Sequence, residues 1–235
     1  KATIQQIEPP LAGRPATTAI EKRDRALIAF TLLSGARDRA IASLKMKHVD
    51  LAAETVYQDA REVETKFSKS FTTNFFPVGE EVLCIVADWI KYRTDECLAG
   101  NDDPLFPGTK MTHGDNNNFQ ASGLSNEHWK SAAPIRRIFS AAFKLAGLQD
   151  FKPHSFRNTL VTLGQKMCVS PEDFKAWSQN LGHESVLTTL YNYGYVEESR
   201  KSEIFKQLKH PRSSKEEQLE MITRAVAQKL ISENR

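Results

Sequence analysis

Apolar residues recur at helical spacing over residues 18–34 (Ala26, Leu27, Phe30 and Leu33), and Glu21 and Asp24 near the start suit a helix N-terminus, so the first clear element is a helix. A second helix is expected over 38–46. The pattern then changes: Thr55-Val56-Tyr57 and Phe71-Thr72-Thr73-Asn74-Phe75-Phe76 are β-branched and aromatic, which predicts two strands with the polar turn Lys66-Phe67-Ser68-Lys69 between them. A helix follows over 80–98. Gly, Asn, Asp, Pro and Ser dominate residues 100–129, which read as a long irregular loop, and a loop of that length in a compact domain is usually functional or mobile. Helical spacing returns over 134–145 and Pro153–Met167, then over 171–178 and 185–191. Ser214 and Glu217 have capping-box spacing ahead of an apolar stripe (Leu219, Ile222, Val226, Leu230), which predicts a last helix over 214–234. The fold class expected is mainly α with one small antiparallel β-sheet (α+β).

Composition narrows this little. With 235 residues, 40% of them hydrophobic and 26% charged, the chain is built like an ordinary globular domain rather than a disordered one. No apolar run approaches the roughly 18 residues that a membrane-spanning helix needs, and no basic-then-apolar leader opens the chain, so a cytoplasmic protein is expected. Cys84, Cys97 and Cys168 are too scattered for a disulfide or metal framework. The chain starts at Lys1, as a piece of a longer protein would, and residues 1–17, rich in Pro, Ala and Thr, read as a linker or arm. The net charge of +3 is only mildly basic. Its distribution says more: Arg136, Arg137, Lys144, Lys152, Arg157 and Lys166 face a single acid, Asp150, between residues 134 and 166, a local patch able to neutralise phosphates.

Four short strings carry candidate chemistry. Gly35-Ala36-Arg37 sets an arginine at a turn just after an apolar helix. Lys66 and Lys69 sit in the middle of the expected hairpin. His154-Ser155-Phe156-Arg157 places His and Arg three apart, on one face of a helix, where both could grip one anion; Pro153 before them suits a helix start. Leu181-Gly182-His183 is followed by Thr188-Thr189 and a tyrosine-rich stretch, Tyr191-Asn192-Tyr193-Gly194-Tyr195.

In this order and spacing the strings resemble the tyrosine recombinase/phage integrase family, over roughly residues 18–206. The resemblance implies that family's catalytic-domain fold and its chemistry: a tyrosine attacks a DNA phosphodiester, leaves a covalent 3′-phosphotyrosine, and is displaced when the strand is rejoined. Covalent storage of the bond energy means that neither ATP, a metal nor another cofactor is expected, and double-stranded DNA is the partner.

The residue roles are likewise what the resemblance implies. Arg37 and Arg157 would clamp the scissile phosphate, a task for which permanently charged, forked guanidiniums are suited. His154 would assist loss of the phenolic proton, needed because a tyrosine titrates near about 10. His183 would bind the phosphate and support the nucleophile. A hairpin lysine would protonate the departing 5′ oxygen: Lys66 opens the Lys-x-x-Lys turn as in relatives, whereas counting back eight residues from Pro77 selects Lys69. In relatives the nucleophile lies nine or ten residues after the Leu-Gly-His histidine; position ten is Tyr193, followed by Gly194. Lys69, Arg136, Arg137 and Lys152 are further DNA-binding candidates. One departure stands out: where relatives carry an acid three positions after the first arginine, this chain has Ala40, with Asp38 nearby.

The function expected is therefore site-specific DNA recombination or integration by a bacterial or phage-encoded enzyme. A type IB topoisomerase-like relaxing enzyme, or an inactive relative that only occupies DNA, are the alternatives. Residues 18–210 would form the catalytic domain and 211–235 a helix that packs on its own domain or on a neighbouring protomer of a homotetramer on DNA.

Overall fold

The computed structural model describes residues 16–113, 118–183, 201, 202 and 205. The contacts divide the chain into residues 1–192 and 193–235, and the described part of the first unit carries everything that follows.

Helix α1 (Ala19–Ser34) is the axis of that unit. Thr18 caps it: its hydroxyl accepts from the Glu21 backbone N–H while the Glu21 carboxylate accepts from the Thr18 N–H, a reciprocal capping box. Ala26 through Phe30, Leu32 and Leu33 are all buried, so the helix is covered on nearly every side rather than along one stripe. It stops at Gly35, whose φ of 60° lies in the left-handed region that closes helices. A Cβ there would also meet the side chains of Leu160 and Leu181 at 3.0 Å, so two independent demands call for glycine. The short helix α2 (Asp38–Ser43) follows at once and ends earlier than the expected 46, because Leu44 turns into the core with extended dihedrals.

Strands β1 (Val49–Asp50), β2 (Thr55–Gln58) and β3 (Phe71–Asn74) form one antiparallel sheet in that order, with Thr55 opposite Asn74 and Gln58 opposite Phe71. The connection from β2 to β3 projects from the sheet and carries Lys66 and Lys69. Its base is tied down at Glu62, whose carboxylate accepts from Lys45 Nζ at 3.1 Å, Lys47 Nζ at 2.9 Å and His48 Nε2 at 3.1 Å. Helix α3 (Glu80–Asp95) then lays Val82, Ile85, Val86 and Trp89 against α1.

The stretch expected as an irregular loop contains a second sheet. Strand β4 (Thr109–His113) pairs antiparallel with β5 (Phe119–Leu124), so the domain has two small sheets, not one. Most residues of both strands are exposed, so no period-two apolar pattern marks them, and the turn-forming residues between them read as loop. The hairpin's base is fixed from α1: Arg23, buried and paired with Asp24 at 2.7 Å, donates to Pro107 O and Thr109 Oγ1.

Helices α4 (Ala133–Leu145), α5 (Pro153–Met167) and α6 (Pro171–Asn180) complete the unit. Phe139 and Phe143 of α4 meet Phe156 of α5 edge-on at 5.0 and 6.0 Å between ring centroids. Gly164 sits mid-helix because the Trp177 indole of α6 occupies the space its Cβ would need; the indole N–H donates to Leu160 O at 3.0 Å. The expected helices over 185–191 and 214–234 lie outside the described residues. Among the described residues no helix is long and apolar enough to cross a membrane.

Candidate active site

Three chain segments converge where α1 ends. The Gly35 turn delivers Arg37, helix α5 delivers His154 and Arg157, and the turn after α6 delivers Leu181, Gly182 and His183. Arg157 joins them. Its guanidinium, 5% exposed, donates through Nη1 to Gly35 O and through Nη2 to Leu181 O. Two carbonyls from two different loops thus fix the arginine, and the arginine in turn fixes the loops.

Nη2 of Arg157 also lies 3.1 Å from Nε2 of His183. Burial, followed by the positive charges of Arg157 and Arg37, pushes the His183 imidazole down to about 4, so it is neutral at pH 7. Arg157 itself is pushed down to about 9, first by burial and then by Arg37. His154, one helical turn before Arg157, is lowered by burial and by both arginines, with Asp38 acting in the opposite sense. Arg37 is half-buried, lowered by burial, and its guanidinium has no hydrogen-bond partner among the described residues.

Lys66 opens a tight turn (Lys66–Ser68) in the β2–β3 connection, with its ammonium 4.6 Å from the centre of the Phe67 ring. Lys69 follows as an exposed residue just before β3. Together these groups surround a cleft of about 700 Å³ lined by Arg37, Lys66, Lys69, His154, Arg157 and His183. No carboxylate among the described residues lines it. Two guanidiniums, two ammonium groups and two imidazoles around one space make a site for a multiply bonded anion.

Of the sequence candidates, these six are brought together. Arg136, Arg137 and Lys152 do not line the cleft: Arg137 and Lys152 are exposed on α4 and at the start of α5, and Arg136 Nε is paired with Asp38 Oδ2 at 2.7 Å. Tyr193, with Tyr191 and Tyr195, lies outside the described residues. Ala40, where relatives carry an acid, is buried in the core, while Asp38 supplies the negative charge that acts on His154. Asn158 and Gln179 also line the cleft. The sequence offered little sign of either beyond their places next to Arg157 and two residues before Leu181.

The phage integrase family model matches residues 8–200. The chain belongs to the phage integrase family. Tyrosine recombinase XerC of Halalkalibacterium halodurans is 23% identical over 210 residues, 89% of this chain and 61% of that protein. XerC of Shewanella amazonensis is 26% identical over 176 residues, 74% of this chain and 50% of that protein. The chain therefore spans between half and three-fifths of the length of these relatives. Among solved structures, XerA recombinase superimposes with a TM-score of 0.58 at 18% identity, over 89% of this chain and 62% of that one. The Tn1549 transposon integrase in complex with circular intermediate DNA gives 0.56 at 18% identity, over 88% of this chain and 66% of that one. The architecture is thus that of a tyrosine recombinase catalytic domain: mainly helical with small antiparallel sheets.

Proposed function

We propose that this chain is the catalytic part of a site-specific DNA recombinase or integrase that breaks and rejoins double-stranded DNA through a phosphotyrosine on Tyr193. The observation that carries the reading is the cleft in which Arg37, Arg157, His154, His183 and the hairpin lysines converge, with no carboxylate among the described residues that line it. A phosphodiester resists attack because its oxygens are negative, and its transition state carries still more charge that must be neutralised. Arg37, with its donors unengaged among the described residues, meets one edge of the phosphate. Arg157, held by two carbonyls, presents a second fixed cation. His154, lowered first by burial and then by its two arginine neighbours, can take the phenolic proton, and neutral His183 can donate from its second nitrogen to a phosphate oxygen. Lys66 protonates the leaving 5′ oxygen. Lys69 contributes a further phosphate contact within the cleft, and Arg136, Arg137 and Lys152 contribute phosphate contacts outside it.

On this reading the protein acts on DNA in the cytoplasm as a homotetramer. Residues 1–17 link to a preceding part of the protein, 18–210 carry the chemistry, and the segment 211–235 makes protein contacts. The test is a trapping experiment with nicked duplexes of randomised sequence, in which loss of the short cleaved strand prevents religation. Mass spectrometry of the adduct should find DNA on the peptide containing Tyr193; a linkage to any other residue overturns the assignment.

A further inference from the structure

The tip of the lysine-bearing connection breaks two rules at once. Phe67 has φ 61° and ψ 22°, and Ser68 beside it has φ 50°, so two consecutive residues with side chains occupy the left-handed region. Such residues are uncommon, and a bulky one there costs conformational energy that surrounding structure must offset. Phe67 is also 66% exposed, so the strain is not there to fill the core. What the strained backbone does achieve is position: Phe67 lines the cationic cleft together with Lys66 and Lys69, and the Lys66 ammonium stands 4.6 Å from its ring centre. An exposed aromatic held at a cost among cations that face a phosphate site has the chemistry of a nucleic-acid contact, in which the ring meets bases while the charges meet phosphates.

We infer that Phe67 is the apolar DNA contact of this site, packing its ring against the base step that flanks the phosphate gripped by Arg37 and Arg157. In the DNA-free protein the same ring holds the Lys66 ammonium through a cation–π contact; engagement with the base step releases that lysine toward the leaving oxygen. The inference deepens the DNA-cleaving reading of the cleft and rests on it.

The experiment is equilibrium binding of the full 235-residue chain to a fluorescein-labelled duplex of mixed sequence, followed by anisotropy across a salt series. Phe67→Ala keeps a Cβ at the same strained backbone and removes only the ring. It should weaken binding roughly 5- to 100-fold at fixed salt, the range expected for loss of one aromatic–base contact. Because no charge is removed, the slope of log affinity against log salt should match wild type, whereas Lys69→Ala should flatten it by about one unit. Phe67→Trp should restore affinity. Phe67→Gly, which suits a positive φ, should leave the melting temperature equal or higher while binding as poorly as Phe67→Ala. Binding by Phe67→Ala within twofold of wild type overturns the contact, and so does a weakened variant with a flattened slope, since Phe67 would then act only by placing a lysine. A wild-type chain whose DNA binding has no salt dependence overturns the reading of the cleft itself, and this contact with it.

Discussion

Nη2 of Arg157 stands 3.1 Å from Nε2 of His183, and because a guanidinium can only donate, Nε2 is the acceptor and the His183 proton resides on Nδ1. Protonation of Nε2 would set two cations against each other in a half-buried space. Hence the folded protein holds His183 at about 4, against its ordinary value of 6.5. A group whose folded value is depressed contributes stability that is complete above its unfolded value and is lost as pH falls toward the folded one. The melting temperature should therefore drop between about pH 6.5 and pH 4. His183→Gln, which can still accept from Arg157 but does not titrate, should show a shallower drop, with the remainder carried in part by His154, shifted in the same direction. Parallel curves for the two proteins would rule out this coupling.

Arg157→Lys should be far from conservative. One ammonium cannot reach Gly35 O and Leu181 O in the fork geometry of the guanidinium, so at least one buried acceptor loses its donor. The expected loss is about 1–3 kcal/mol in denaturant unfolding. Cleavage should fall by about 10²–10³ at saturating DNA, the magnitude seen when one preorganised charge donor is removed from a transition state. Unchanged stability with lost cleavage would mean that the two carbonyl contacts hold nothing together.

What the sequence made legible and what it hid divide along physical lines. Helix α5 was readable to its end residues, since Pro153 marks its first turn and its buried face (Phe156, Leu160, Val161) repeats at helical spacing. The β2–β3 hairpin was readable from its β-branched strands and polar turn. The β4–β5 hairpin was not, because strands exposed on both faces leave no alternation to detect. Nor could local pattern show that Arg136, a DNA-binding candidate, meets Asp38 from 98 residues away, or that Arg157 spends its donors on the backbone of two loops. The candidate site was legible as an ordered set of residue types; its electrostatics came only from burial and distance.

Gly35 offers a test of how the turn serves the site. Gly35→Ala has to tolerate φ 60° and a methyl group 3.0 Å from Leu160 and Leu181, and should cost about 2–4 kcal/mol. Gly147→Ala is the control: its φ is 69°, yet nothing lies within 4 Å of the added carbon, so it should cost only about 1–2 kcal/mol. The difference between the two unfolding free energies measures packing alone. Because Gly35 O is the acceptor of Arg157 and Arg37 lies two residues on, Gly35→Ala should also lower DNA cleavage in the fraction that remains folded, whereas Gly147→Ala should not. Equal costs for the two substitutions would show that the turn yields without disturbing its neighbours.

The choice between Lys66 and Lys69 as the acid for the leaving oxygen can be decided by chemistry that removes the need for an acid. A substrate with sulfur at the bridging 5′ position expels a thiolate, which departs without protonation. If Lys66 delivers the proton, Lys66→Ala should cut cleavage of the ordinary substrate by about 10²–10⁴, the usual range for losing a positioned proton donor, and recover most of it on the sulfur-bridged one. Lys69→Ala should lose activity equally on both, as expected of a residue that supports binding or hairpin placement. Both lysines line the cleft: Lys66 opens the turn, with its ammonium 4.6 Å from the centre of the Phe67 ring, and Lys69 sits three residues nearer to β3. Sulfur rescue of Lys69→Ala with none for Lys66→Ala would exchange the two roles, and rescue of neither would place the proton donor elsewhere in the cleft.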